Sequence, residues 1–298
     1  MRLTSFQRLA LWTTAATYFL ILVGGLVRAS GAGLGCPDWP RCFGSWIPPA
    51  SAASLPPQFD PSQFNPTLMW TEYVNRLLGV TVGFLIFATA ISAWRHHRHQ
   101  PRILWTTIAA FLLVGFQGWL GGRVVAHELA AWIVTVHLIV AIVIVQILLY
   151  VAVETTTASG SRTATAEGWL VAALILLTLI QAAFGTQVRG AIDAALDAGV
   201  ARDAALATVG RFDFLHRDLA FVVLIGATVL TLWLMSRHSS LVRWSFVVLA
   251  LAVAQIALGA VMAYGSLLPA AQVGHLTVAS LLLGAETVLW LLSRRQNV

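Results

Sequence analysis

Three histidines interrupt long apolar stretches of this sequence. They lie in the segments "TVHLIVA", "DFLHRDLA" and "VGHLTVA", as His137, His216 and His275. An ionisable side chain is costly inside a membrane helix, so its presence there indicates a functional site. Neutral imidazole is a common metal ligand, and the three positions therefore predict metal ligation. The alternative is a hydrogen bond from each imidazole to a neighbouring helix.

The only two cysteines, Cys36 and Cys42, lie close together in the segment "GLGCPDWPRCFGSW". A metal site, a disulfide and a redox relay all agree with this spacing. Two thiols alone do not complete a structural zinc site, which takes four ligands. Cysteines pair in oxidising compartments and stay reduced in the cytosol, so the choice depends on the side of the membrane that the segment faces.

The elements that must position these side chains are membrane helices. Hydrophobic residues make up 58% of the 298 residues and charged residues 10%, whereas a soluble domain carries about 25% charged residues. Apolar runs close to the length of about 20 residues that crosses a bilayer recur along the chain. The predicted spans are 9–29, 71–94, 103–123, 130–153, 168–189, 212–236, 244–265 and 270–292. A long loop rich in proline, serine and glycine, 30–70, separates the first two spans.

The net charge of +6 is due to arginine, because the sequence contains no lysine. In a membrane protein this charge predicts contacts with the lipid bilayer and with acidic ligand groups, and no nucleic-acid partner. The positive-inside rule favours an orientation with both termini in the cytoplasm, by a small excess of arginines. The cytoplasmic set is Arg2, Arg8, Arg95, Arg98, Arg102, Arg162, Arg237, Arg243, Arg294 and Arg295, and the outer set is Arg28, Arg41, Arg76, Arg123, Arg189, Arg202, Arg211 and Arg217. The cysteines then face the oxidising side of a cell membrane, which predicts a disulfide.

The two halves of the chain resemble each other. The segment 135–141 matches 273–279, and "EYVNRLLG" at 72–79 matches "DFLHRDLA" at 213–220. Each half has four spans, so both halves insert in the same direction. The repeat predicts two four-helix bundles, residues 1–155 and 156–298, related by a pseudo-two-fold axis along the membrane normal. It also argues that the first span is retained and is not a cleaved signal peptide.

Matched depth in one bundle makes His216 and His275 candidate ligands of one metal. Two imidazoles that face each other across a four-helix core predict a bis-histidine haem, whereas zinc would need further ligands. In the first half, His137 is present but Asn75 occupies the position that matches His216. An amide is a poor iron ligand, so a macrocycle in this bundle would have one axial position open or differently filled.

Acidic and basic side chains lie near the outer ends of these helices. The arginines that predict contacts with haem propionates are Arg28, Arg76, Arg123, Arg189 and Arg217. Glu72 precedes Asn75 by three residues and shares its helix face. Two interpretations of Glu72 are open: a chemical role beside the incomplete haem site, or a carboxylate in the first helical turn that favours the helix dipole and pairs with Arg76.

The segments "GGLVRASGAGLGCPDWPRC", "EYVNR", "GFQGWLGG", "VHL", "LHR" and "GHL" together resemble the haem A synthase family. The resemblance extends over nearly the whole chain. It implies that the protein oxidises the C8 methyl group of haem O to a formyl group. It also implies a haem B cofactor held by His216 and His275, substrate haem O bound in the other bundle near His137, and a chemical role for Glu72.

The chain departs from the family pattern at two places. Many members have a histidine where this chain has Asn75, and some have a second cysteine pair that residues 190–210 lack. The resemblance implies a haem O-producing farnesyltransferase as a partner, and the loop position leaves room for a redox partner in the membrane or on its outer side. The competing functions are a dihaem b-type electron carrier and a haem carrier without chemistry on the macrocycle.

Overall fold

A computed structural model describes residues 3–156, 165–265 and 267–295. Within these residues the regular structure is helical, with no strand. The long helices are α1 Ser5–Ala29, α2 Pro66–His96, α3 Pro101–Ala126, α4 Ala131–Thr156, α5 Ala166–Asp197, α6 Arg211–Ser236, α7 Val242–Tyr264 and α8 Pro269–Ser293. All eight are long and apolar enough to cross a membrane. This confirms the predicted all-helical membrane protein with eight spans.

Capping residues determine where the helices begin. Three helices, α2, α3 and α8, start at a proline, whose missing N–H falls where a helix has no internal acceptor. In α2 the side chain of Asn65 accepts a hydrogen bond from the Leu68 N–H at 3.2 Å. Helix α2 therefore begins at Pro66, before the predicted start at 71, because the cap lies ahead of the apolar run.

Helix α5 continues to Asp197, past the predicted end at 189. Its last turns pack against other parts of the protein. Ile192 and Ala195 belong to one buried apolar cluster with Val209 and Leu267. The prediction ended α5 too early because these turns carry polar residues and lie beyond the apolar span.

The helices pack as two rings in chain order. In the first ring α1 to α4 each contact the next helix and α4 returns to α1, and α5 to α8 repeat this arrangement. Contacts between the rings come from α1, α4, α5 and α8, and α8 is the most buried helix. The pseudo-two-fold relation, the repeat and the domain boundary at 155/156 stay predictions. Arg2, Arg162 and the segment 157–164 lie outside the described residues.

The Cys loop, which we define as residues 30–65, forms a compact layer on α2 and α3. Cys36 and Cys42 form a disulfide, as predicted. Both are fully buried, together with Phe43 and Met69. A Cβ atom at Gly35 would lie 2.4 Å from the carbonyl oxygen of Leu68, so only glycine allows the loop backbone to approach α2 this closely.

A second close approach fixes the Cys loop on α3. A Cβ atom at Gly122 would lie 2.8 Å from the ring of Trp39, so the indole packs directly on the helix backbone. Trp46, by contrast, remains 64% exposed. Indole side chains favour the boundary between water and lipid. The loop thus covers α2 and α3 and leaves Trp46 available to the bilayer surface.

Candidate functional site

His216 on α6 and His275 on α8 face each other in the second ring. Their ring centroids are 6.2 Å apart and their planes are inclined by 64°. A metal–imidazole bond is about 2 Å long, so two imidazoles on opposite sides of one metal ion place their ring centres about 6 Å apart. The observed separation therefore fits axial ligation of one metal ion by both side chains.

Hydrogen bonds orient the imidazole of His216. Its Nδ1 lies 3.1 Å from the carbonyl oxygen of Gln181. A carbonyl oxygen can only accept, so Nδ1 carries the proton and Nε2 is left free as a ligand, which is the usual arrangement around metal-binding histidines. The side-chain amide of Gln181 donates in return to the backbone carbonyl oxygen of His216 at 3.3 Å. A Cβ atom at Gly185 would lie 3.0 Å from the His216 ring, so the glycine leaves room for it.

The ligand set in this ring fits haem and does not fit zinc. Among the described residues, no group of three or more His, Cys, Asp or Glu side chains is placed to hold a metal ion. Two imidazoles without further protein ligands would suit haem, because the porphyrin supplies the remaining ligands of the iron.

His137 on α4 occupies a similar setting in the first ring. The Gln117 amide donates to its carbonyl oxygen at 2.8 Å, and a Cβ atom at Gly121 would lie 3.7 Å from its ring. A glycine also faces His275, where a Cβ atom at Gly259 would lie 3.6 Å from the ring. The side chains of His137 and Asn75 each keep a buried polar atom without a partner among the described residues. Such atoms are rare in native structures, and here they fit a pocket that binds a further group.

Glu72 is 4% exposed and binds the Cys loop. One carboxylate oxygen accepts a hydrogen bond from the Cys36 N–H at 2.8 Å. The other accepts from Nε of Arg76 at 3.0 Å and from its Nη2. Helix α2 has no acidic residue in its first turn, so the helix-dipole interpretation of Glu72 was wrong. The predicted pairing with Arg76 is confirmed.

Arg76 extends the same contact to the backbone of the Cys loop. Its Nη1 donates to the carbonyl oxygens of Asp38 at 2.8 Å and Arg41 at 2.7 Å. Its Nη2 donates to the carbonyl oxygen of Cys36 at 3.2 Å. The guanidinium group of Arg76 therefore binds both Glu72 and the backbone of the Cys loop.

Arg28 on α1 and Arg189 on α5 meet where the two rings touch. Both pair with Asp193, the second at 2.7 Å. Arg189 also donates to the side chain of Gln272 on α8. Each of the two arginines keeps a buried Nε without a partner among the described residues. The two guanidinium groups thus lie together where the ends of α1 and α5 meet the start of α8.

Arg217 and Arg123 occupy more open positions. Arg217 pairs with Asp213 at 2.8 Å, and its side chain is 46% exposed. Arg123 lines a cleft of about 310 Å³ between α3 and the Cys loop. The other residues of the cleft are Pro37, Asp38, Trp39, Trp119, Gly122, Val125 and Ala126. The cleft lies at the end of α3, where an anionic group of a ligand could meet Arg123.

Two polar residues of the second ring were missed in the sequence. Gln181 orients His216, and Glu286 on α8 is fully buried. Both stand in otherwise apolar helices, and this is the same property that singles out the three histidines. Glu286 follows His275 by about three helical turns, so the spacing could have placed the two on one face of α8.

Comparison with known proteins agrees with this arrangement. The sequence matches the family COX15-CtaA, described as cytochrome oxidase assembly protein, over residues 7–287. A protein named heme A synthase from Allorhizobium ampelinum is 28% identical over 220 residues, which are 65% of this chain and 58% of that protein. One of the same name from Geobacillus kaustophilus is 35% identical over 124 residues, 42% of this chain and 34% of that protein.

A third protein named heme A synthase, from Shewanella oneidensis, is 30% identical over 161 residues, 52% of this chain and 46% of that protein. The chain thus spans about one third to three fifths of the length of these relatives. The family match is much more extensive: it includes α2 to α7 completely, α1 apart from its first two residues, and most of α8. Because the match covers nearly the whole chain, this protein belongs to the COX15-CtaA family of cytochrome oxidase assembly proteins.

Proposed function

We propose that this protein is a membrane oxidoreductase that converts haem O into haem A by oxidising the C8 methyl group to a formyl group. The observation that carries the proposal is the difference between the two rings. One presents two facing imidazoles, and the other presents His137 and an Asn75 amide oxygen that has no hydrogen-bond partner among the described residues. The first suits a permanently bound haem, and the second suits a macrocycle that must bind, react and leave. Family membership and the names of the relatives support this assignment.

In the second ring, His216 and His275 would hold the iron of haem B. When bound, haem B supplies one-electron transfer. The Gln181 carbonyl oxygen keeps the proton of His216 on Nδ1, so that Nε2 stays a ligand. Arg189 and Arg217 bind the propionates by charge-assisted hydrogen bonds.

In the first ring, His137 ligates the iron of the substrate, haem O. Arg28 and Arg123 meet its propionates. Arg76 acts differently, because its guanidinium group is used to hold the Cys loop over this ring. The loop limits the access of water to the pocket, which protects an oxidised macrocycle from side reactions.

Glu72 is the catalytic carboxylate of the first ring. Oxidation of a methyl to a formyl group removes protons as well as electrons, and an ionised carboxylate is a suitable proton acceptor. The N–H groups of Cys36 and Arg76 fix the position of the carboxylate. The same contacts make the carboxylate part of the loop attachment, so its two roles must be separated by experiment.

The location of the protein and of its Cys loop follows from the proposed orientation in the membrane. The protein lies in the cell membrane with both termini in the cytoplasm, and the Cys loop faces the oxidising side, where its disulfide forms. Haem O comes from a farnesyltransferase, and the electrons leave through a redox partner in the membrane or on its outer side.

Haem analysis tests the proposal. The protein is expressed in membranes that contain haem O, purified, and its haems are extracted and identified by mass. We expect haem A or a hydroxylated intermediate, and we expect His216→Leu and His275→Leu to lose the low-spin b-type spectrum. Haem B alone, with no conversion of supplied haem O, would overturn the proposal and favour a dihaem electron carrier.

A further inference from the structure

Glu286 is an isolated carboxyl group in the core of the second ring. It is 0% exposed and lies on α8, the most buried helix. Its neighbours on the same helix face, Leu282 and Leu289, belong to the apolar core cluster of this ring. One carboxyl oxygen bonds to the hydroxyl of Thr178 at 2.9 Å, and the other is buried without a partner among the described residues.

The position of Glu286 relates it to the two imidazoles. Eleven residues, about three helical turns, separate it from His275, so both side chains lie on one face of α8. On α5, Thr178 is about one turn from Gln181, whose carbonyl oxygen holds His216. The contact to Glu286 and the contact to His216 thus come from adjacent turns of α5.

Within the part of the chain that the structure describes, no charged group pairs with Glu286. Helix α8 packs against α1, α4, α5 and α7. The charged or titratable side chains of these helices are Arg8, Tyr18 and Arg28 on α1, His137, Tyr150 and Glu154 on α4, Glu167, Arg189, Asp193 and Asp197 on α5, and Arg243 and Tyr264 on α7. None of them forms an ion pair or hydrogen bond with Glu286 among the described residues.

An uncompensated carboxylate in an apolar core is costly, so its protonation responds strongly to any nearby change of charge. An electron added to an iron between His216 and His275 removes one positive charge from the same core. The carboxylate is then less stable and the neutral acid is favoured. Loss of the electron has the opposite effect.

We propose that Glu286 is a proton-binding site coupled to the electron content of the second ring. Its carboxylate takes up one proton when the ring gains one electron, and the acid releases that proton when the electron leaves. The charge of the core therefore stays constant. The proton comes from the aqueous side at which α8 ends, seven residues or about 10 Å beyond Glu286. This inference rests on the proposed haem in the second ring.

The test is a redox titration of the haem-containing protein at several pH values. One proton per electron lowers the midpoint potential by up to about 59 mV for each tenfold fall in proton concentration. We expect this slope in the wild type and a much smaller slope in Glu286→Gln. The matched control is Glu167→Gln, the same change at the aqueous end of α5, where Glu167 pairs with Arg237 at 3.8 Å. We expect the control to keep the wild-type slope.

Infrared difference spectra of the wild type provide a second measurement that needs no variant. We expect the carbonyl band of a neutral carboxylic acid to appear on reduction and disappear on oxidation. Thr178→Val keeps the carboxyl group and removes its hydrogen-bond donor. It should move the bend in the pH dependence to higher pH, because the carboxylate loses the bond that stabilises it.

The possible failures are distinguishable. A wild-type protein without a b-type haem spectrum would overturn the haem assignment and this proposal with it. A normal spectrum combined with an unchanged slope in Glu286→Gln would overturn this proposal alone. If Glu286→Gln does not accumulate, the infrared spectra of the wild type decide the question. A wild type without the carboxylic-acid band on reduction would overturn this proposal alone.

Discussion

Replacement of Glu72 by glutamine separates the two roles of this carboxylate. The variant Glu72→Gln keeps the size of the side chain and removes its charge and basicity. In the structure the carboxylate accepts bonds from the Cys36 N–H and from two nitrogens of Arg76. A glutamine has one acceptor oxygen, so its amide nitrogen must face one of these donors.

The expected loss of stability follows from these contacts. A carboxylate at an exposed helix end contributes only about 0.3–1 kcal/mol, but Glu72 is 4% exposed. Hydrogen bonds to charged groups contribute about 1.5–3 kcal/mol each. Arg76 retains its three backbone acceptors in the Cys loop, which limits the damage. We therefore expect Glu72→Gln to lower the free energy of unfolding by about 2–3 kcal/mol.

The loss of activity should be larger than this contact alone explains. Removal of a catalytic base lowers a rate by about 10²–10⁴-fold. The matched variant is Arg76→Gln, which loosens the same loop and leaves the carboxylate in place. The assay measures conversion of haem O by mass and loosening of the loop by the rate at which reductant and alkylating reagent reach Cys36 and Cys42.

Arg76→Gln removes more contacts with the Cys loop than Glu72→Gln does, so it should loosen the loop at least as much. Catalysis by Glu72 nevertheless predicts that Glu72→Gln is at least about tenfold less active than Arg76→Gln. If the variant with the looser loop were the less active one, this reasoning would be refuted, because the carboxylate would then act only through the loop. Near wild-type conversion by Glu72→Gln would refute it directly.

Two further predictions concern the first ring and the Cys loop. Asn75→His should convert the iron bound by His137 from five-coordinate or mixed ligation to six-coordinate, low-spin character in resonance Raman spectra; a bis-imidazole signature already present in the wild type would contradict the assignment. Both cysteines are fully buried in a disulfide, so neither should react with alkylating reagents in the folded protein without reductant. Replacement of either by serine should lower the free energy of unfolding by about 2 kcal/mol, because the bridge closes a short loop; free thiols in protein purified in air would show that the bridge does not form.

The sequence alone determined the class of the protein and the places where it is polar inside the membrane. Transfer of a side chain from water to lipid depends mainly on the side chain itself, so eight apolar runs predicted eight helices. For the same reason, His137, His216 and His275 stood out without any knowledge of their neighbours. The nearness of Cys36 and Cys42 in the chain also allowed their pairing to be predicted.

Only the tertiary structure decided which of these side chains have partners. The contacts of Glu72 with Cys36, and of Arg28 with Asp193, join residues far apart in the chain. Their geometry depends on how helices pack, and no local pattern encodes it. The structure likewise showed that Glu286 is fully buried, on the same helix as His275. The sequence alone did not distinguish it from the other acidic residues. A charge interacts with what surrounds it in space, so its chemistry is fixed only once the chain has folded.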